Sequence, residues 1–257
     1  MQEKTLTGGR SYYLDIARAI AIISISLNHA VNRTYDNYFG QMEEFLESSY
    51  LSSLLKSVAT VFSHLGVPLF LMISGALLPA LNSLLVLRDI PPMDTAVYLF
   101  NLCSIYYLYV FTGYFISQGG LQRLRTGEVA VLTVLLFALI CGYQLYAYSD
   151  WVDYLVDYDF PLLLLCAMGL LELLRRGAEH LRGLRPVVTY LAKISFGVYF
   201  IHILIVSLLE WNMNFDGWAR SLTLLFLEGV SVGGSILLIA LFSGIPFCRR
   251  RMFGIKG

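Results

Sequence analysis

Asp15, Arg18 and His29 all lie inside one apolar run, residues 12–31. Ionisable side chains in such a run cost about 2.5–3.5 kcal/mol each near the middle of a membrane helix, so their presence points to function. At about 100° per residue, Asp15, Arg18, Ile22, Ser26 and His29 fall on one helical stripe roughly 80° wide. Arg18 and His29 are eleven residues apart, which is about 16 Å along a helix axis. An imidazole titrates near neutral pH and can take a proton from a hydroxyl. A guanidinium stays charged and forks toward phosphate or carboxylate. The plainer alternative is an interfacial anchor, with Asp15 and Arg18 paired three residues apart and His29 at the outer rim.

His202 is a second histidine in an apolar run, with Tyr199 on the same helical face. It reads either as a hydrogen-bonded core residue or as a site residue. Ser74-Gly75, and Gly229 with Gly233 and Gly234, are small residues that let membrane helices pack closely. His64 and His180 read as interfacial or loop residues. Cys103, Cys141, Cys166 and Cys248 have no metal-ligand spacing and read as small apolar residues, so no metal is expected. There is no Walker, dinucleotide or zinc motif.

The elements that carry these residues must be membrane helices. The chain has 257 residues, 57% hydrophobic and 14% charged, with mean hydropathy +0.67. That charge content is far below the roughly 25% of soluble domains, and disorder would need low hydrophobicity and high charge. Eighteen basic residues balance eighteen acidic ones, so no nucleic-acid partner is indicated. The apolar runs are continuous rather than alternating, which favours helices over a membrane barrel. No cleavable leader is expected, because no small-residue cleavage site follows the first run.

Seven runs qualify as spans: 12–31, 65–87, 95–117, 128–148, 160–174, 187–209 and 221–247. Residues 51–64 suit an interfacial helix leading into the second span, or a short separate span. The fold class is therefore all-α, a polytopic transmembrane bundle of about seven or eight spans, in one domain over residues 1–257. Basic residues cluster in 175–186 (Arg175, Arg176, Arg182, Arg185) and 248–257 (Arg249, Arg250, Arg251, Lys256). Both read as cytoplasmic, while 32–50 and 149–159 are permitted outside. Termini on the same side need an even number of spans. Seven do not satisfy this, and working inward from both ends locates the conflict between 80 and 94.

Several stretches resemble the acyltransferase-3 family of integral membrane O-acyltransferases that modify bacterial surface glycans. Tyr13-Leu14-Asp15-Ile16-Ala17-Arg18, ten residues and His29 resemble the opening helix of that family. Gly66 to Gly75 resembles its second-span motif ending in Ser-Gly, and Ile105-Tyr106-Tyr107-Leu108-Tyr109 its aromatic segment. Ile194-Ser195-Phe196-Gly197-Val198-Tyr199-Phe200-Ile201-His202 resembles its late segment ending in His.

The resemblance implies transfer of an acyl group, expected to be acetyl, onto a hydroxyl of a surface or envelope glycan. The donor would be acetyl-CoA or a similar cytoplasmic thioester, used as co-substrate with no bound cofactor. His29 would be the general base or a transient acyl carrier, Arg18 would hold the donor's phosphates or fix the site's charge, and Asp15 would orient Arg18. Ser74, Tyr199 and His202 are candidate substrate contacts. The expected setting is the lipid bilayer of the inner (plasma) membrane, with both termini cytoplasmic. The sequence departs from the family after Ser74-Gly75. In place of a basic Arg-x-x-Arg stretch and a further span, only Arg88 precedes Pro91-Pro92. An internal loss near 80–94 would account for both this departure and the span-number conflict. It leaves a transporter or flippase-like bundle without chemistry, or an inactive family member, as alternatives.

Overall fold

In the computed structural model, the described residues are 11–35, 50–86, 106–149, 156–215 and 218–244. They form eight α-helices. These are α1 (Tyr12–Tyr35), α2 (Tyr50–His64), α3 (Gly66–Val86), α4 (Tyr106–Ser117), α5 (Thr126–Ser149), α6 (Pro161–Gly177), α7 (Arg185–Asn212) and α8 (Arg220–Phe242). A 3-10 turn, Ala178–Leu184, joins α6 to α7. No strand occurs among the described residues. The bundle is all-α, and five helical runs are long and apolar enough to cross a membrane: Tyr12–Tyr35, Leu51–Leu77, Thr126–Tyr148, Pro161–Asn212 and Arg220–Phe242. The fourth, 52 residues long, would extend about 78 Å if straight. That is enough for two crossings, turned at Ala178–Leu184.

The outer surface is apolar. Val131, Leu135 and Leu139 on α5 and Leu225, Leu237 and Leu241 on α8 are each more than half exposed. Such a surface needs lipid rather than water around it.

The second crossing differs from the sequence expectation. Residues 51–64 are not an interfacial helix. They continue through the single turn residue Leu65 into α3, and α2 lies along α1 with Ser57, Val61 and Ser63 fully buried. The Ser24 hydroxyl donates to the Phe62 carbonyl at 2.5 Å, and Asn28 Nδ2 donates to Ser63 Oγ at 3.2 Å. One turn on, a Cβ at Gly66 would meet Ala21 O and Ile25 N at 2.9 Å. Glycine therefore lets the backbones of α1 and α3 touch where the helix axis turns. Pro68 sits in the first turn of α3, where no intrahelical N–H bond is lost. Hydropathy alone divides this run at the wrong place, because the polar face of α2 is buried against polar groups of α1.

Side-chain contacts sort the helix ends into two groups. At the Tyr12 end, the Tyr12 hydroxyl donates to Leu181 O at 2.7 Å and Arg185 lies over the Tyr12 ring at 5.5 Å. Arg176 donates to the Leu121 and Leu124 carbonyls at 2.6 and 2.9 Å. The start of α1, the α4–α5 loop and the α6–α7 turn thus share one end. At the Tyr35 end, Lys56 Nζ stands 4.9 Å from the Tyr35 ring and 4.3 Å from the Tyr148 ring, and Arg220 lies 6.0 Å from the Tyr35 ring. Arg33 NH1 reaches Glu210 Oε1 at 2.8 Å. Helices α1, α5 and α7 therefore run from the Tyr12 end to the Tyr35 end, and α6 and α8 return. The α2–α3 run also descends toward the Tyr12 end, and so does α4. The stretch between them, 87–105, falls outside the described residues, as do Arg88, Pro91 and most of the 80–94 region.

The α6–α7 turn carries less free positive charge than its composition implies. Glu172, with no exposed surface, accepts from Arg175 Nε and NH2 at 2.8 Å each and from Arg176 Nε at 2.5 Å. Arg182 pairs with Glu179. The bridge from Arg176 to the loop before α5 makes this cluster a clamp between two connections. Glu128 closes the start of α5 by accepting from the Arg125 N–H at 2.7 Å, one half of a capping box.

Candidate active site

The stripe on α1 faces the bundle interior. Asp15, Ile22 and Ser26 are buried, at 2%, 5% and 0% exposure. Ile22 packs in a cluster with Ile194 and Val198 of α7 and Ile239 of α8. One turn on, Ser26 Oγ and Ser231 Oγ of α8 lie 2.9 Å apart. Polar pairs of this kind contribute about 0.6 kcal/mol on average in membrane bundles. Their larger effect is to set the register of α1 against α8.

The next turn of the same stripe carries His29. Its ring centroid is 5.3 Å from that of His202 on α7, with the planes tilted by 54°. The two histidines selected from separate apolar runs therefore share one position in the bundle. His202 has no exposed surface. Its Nδ1 lies 2.9 Å from the Val198 carbonyl. A carbonyl only accepts, so Nδ1 carries the proton and Nε2 of the neutral ring presents its lone pair. That Nε2 is buried without a hydrogen-bond partner. Tyr199 places its ring 6.0 Å from His202 and 5.4 Å from Phe200. The Tyr199 ring thus borders His202.

Arg18 stays near the Tyr12 end, with NH1 3.9 Å from Asp15 Oδ1. Its side chain is 27% exposed, whereas that of Asp15 is 3% exposed. The acid is inside and the guanidinium reaches out beside it. Because α1 is continuous from Tyr12 to Tyr35, the separation of about 16 Å between Arg18 and His29 holds along the axis. The stripe has an ion-pair end and an imidazole end.

Ser74 stands apart from this group. It is exposed on α3, and its hydroxyl returns to the Phe70 carbonyl of its own helix at 3.2 Å. Its neighbour Gly75 does pack tightly, since a Cβ there would overlap the Val110 carbonyl of α4. Of the later glycines, only Gly234 meets a neighbour, Ile205 Cδ1 at 3.0 Å, while Gly229 and Gly233 face open space. His64 meets the connection before α6: its Nδ1–H donates to Thr60 O at 2.8 Å and its ring lies 5.2 Å from Tyr158. His180 is exposed in the 3-10 turn. Cys141 and Cys166 are buried and free; Cys103 and Cys248 fall outside the described residues. Among the described residues, no three His, Cys, Asp or Glu side chains converge to hold a metal ion.

Sequence reasoning missed Glu228, whose two carboxyl oxygens are buried beside the Ser26 hydroxyl. The signal was present, since Glu228 is the one acidic residue in the apolar run 221–247, and an acid at membrane depth is a functional marker.

The chain matches the family model of the acyltransferase-3 domain, described as an acyltransferase domain, over residues 11–90 and 83–243. Among curated proteins and among solved structures, none matches the chain. The matched stretches take in both ends of the α1 stripe and the α7 and α8 residues that meet it, and on that coverage the chain belongs to the acyltransferase-3 family and is a helical membrane acyltransferase.

Proposed function

We propose that the protein transfers an acyl group, acetyl in the simplest case, from a cytoplasmic acyl-CoA-type thioester to a hydroxyl of a surface or envelope glycan. The observation that carries this reading is the pairing of His29 with His202 at the interior end of the α1 stripe. An imidazole takes the hydroxyl proton as the oxygen attacks the thioester carbonyl. The C–S bond then breaks, and the proton leaves with the thiol. His29 is the general base in this account. Arg18, held by Asp15, faces the donor's phosphates at the Tyr12 end. Tyr199 and His202 border the acceptor. Ser74 lies on α3, outside this arrangement.

With the Tyr12 end on the cytoplasmic side of an inner (plasma) membrane, the basic α6–α7 turn faces inward, in keeping with the positive-inside tendency. Thiol release from acetyl-CoA by purified protein in detergent, with and without a glycan acceptor, tests the reaction. Acceptor-dependent release supports transfer, and its absence argues against transfer.

One observation favours a second reading, an inactive member of the family. The two matched stretches meet at residues 83–90, within the 80–94 stretch where the family's basic segment is missing from the sequence. Loss of a donor-binding segment there would leave the imidazole pair without a substrate. Binding of acetyl-CoA to the purified protein separates the two readings.

A further inference from the structure

Where α1, α7 and α8 meet, His202 Nε2 is buried without a hydrogen-bond partner, and the buried carboxyl oxygens of Glu228 stand beside the Ser26 hydroxyl. Their relative depth follows from the register of α1 and α8. These helices are antiparallel, with Ile22 beside Ile239 and, farther along, Val31 and Tyr35 beside Leu224. The Ser26–Ser231 contact at 2.9 Å is the common mark. From it, three residues toward the Tyr35 end lead to His29 on α1 and to Glu228 on α8, each about 4.5 Å along its axis. His29 and Glu228 therefore lie at the same depth, with His202 5.3 Å from His29.

An ionised carboxylate at this depth, with the single Ser26 hydroxyl beside it, would still carry a penalty of several kcal/mol. The neutral acid avoids most of it and gains an O–H that can donate. We infer that Glu228 holds a proton in the resting protein and exchanges it with the His29–His202 pair, acting as a positioning and proton-relay residue. This rests on the acyl-transfer reading above. In that reaction the acceptor O–H bond breaks and its proton passes to an imidazole. The oxygen bonds to the thioester carbonyl carbon, the C–S bond breaks, and the departing thiolate takes a proton supplied from Glu228 through the imidazoles. The resulting carboxylate recovers the hydroxyl proton from the imidazolium. The net products are ester and thiol, with no proton gained or lost by the protein.

The test compares the full chain with Glu228→Gln, a neutral variant of the same shape. Infrared absorption in detergent, followed across the neutral pH range, reports the carboxylic acid C=O stretch. The wild type should show a protonated-acid band that Glu228→Gln lacks. Glu228→Gln should insert and melt like the wild type, yet release thiol at least tenfold more slowly and with one limb of the pH–rate profile flattened. Absence of a band difference at neutral pH overturns the proposal, and so does a wild-type rate and profile in Glu228→Gln. Wild-type protein that releases no thiol overturns the acyl-transfer reading instead. The infrared band still decides whether Glu228 holds a proton in that case.

Discussion

The Ser26 and Ser231 hydroxyls meet at 2.9 Å between α1 and α8. The contact is weak by itself, but it aligns everything one turn farther on. His29 and Glu228 are the next residues along their stripes, and His202 completes the group from α7. A site built this way depends on helix register, so its residues should separate cleanly from those that hold the helices together.

His29→Ala should reduce glycan acylation by about 10²–10⁴-fold, the range typical for loss of a general base. Expression and membrane insertion should remain close to normal, because the rest of α1 is apolar enough to insert. Mass spectrometry of glycan acylation, in cells lacking the native copy, reads the outcome. Retention of most activity would remove His29 from the mechanism.

Arg18→Lys should lower activity by roughly tenfold or more, because lysine keeps the charge but loses the planar fork. An interfacial anchor would tolerate lysine, whose ammonium reaches the interface equally well. The donor KM should carry the effect if Arg18 grips the donor's phosphates. A wild-type rate in Arg18→Lys would favour the anchor.

The α1 stripe was legible in the sequence because ionisable residues in an apolar run have few reasons to be there. The late histidine was legible for the same reason, although nothing in the spacing showed that it would face His29. That pairing depends on the crossing of α1 and α7, which one sequence does not encode locally. The division of α2 from α3 misled the hydropathy reading. Lys56 lowers the apolar signal of residues 51–64, yet it is 4% exposed and stands between two tyrosine rings. Arg175 and Arg176 read as loop charge, but both are held by Glu172, which lies within the apolar run that precedes them.

Gly113→Ala should destabilise the bundle by about 1–3 kcal/mol, the usual cost of overpacking. A Cβ at this position would overlap the Met72 carbonyl of α3, which is backbone and cannot turn aside. Gly142→Ala, where a Cβ would meet nothing within 4 Å, should be neutral or slightly stabilising, since alanine is the better helix former. Thermal melting of both variants in detergent, followed by the loss of the monodisperse peak, compares them directly. Equal melting of the two variants would contradict the close α3–α4 crossing.

Glu172→Ala should be among the most damaging substitutions away from the imidazole pair. Removing one partner of a buried ion pair costs about 3–5 kcal/mol, and here two guanidinium groups lose the same carboxylate. Arg176 would also lose the partner that holds it toward the Leu121 and Leu124 carbonyls, loosening the α4–α5 loop. The expected result is a lower yield of folded protein and faster protease cleavage between residues 118 and 126. Cleavage at the wild-type rate would mean that the loop is held by other contacts.

The arrangement of helix ends makes a topological prediction that needs no knowledge of the substrate. Helix α5 starts beside Arg176 and finishes near Lys56, α6 returns, and α7 crosses again to Glu210. Single cysteines at Gly127, Gly183 and Asn212, in a background without the four native cysteines, report these three crossings. A Cβ at Gly127 or Gly183 would meet nothing within 4 Å, and Asn212 is exposed, so labelling should not be limited by packing. Gly127→Cys and Gly183→Cys should react from the same side of sealed vesicles, and Asn212→Cys from the opposite side. If Gly127 and Gly183 label from opposite sides, α5 and α6 do not both cross, and the chain would then reach an even number of spans without any loss near residues 80–94. If all three label as expected, α4 and the α2–α3 run both lead to one face of the membrane. The departure from the family pattern then stays between them, in the stretch where the two matched segments meet.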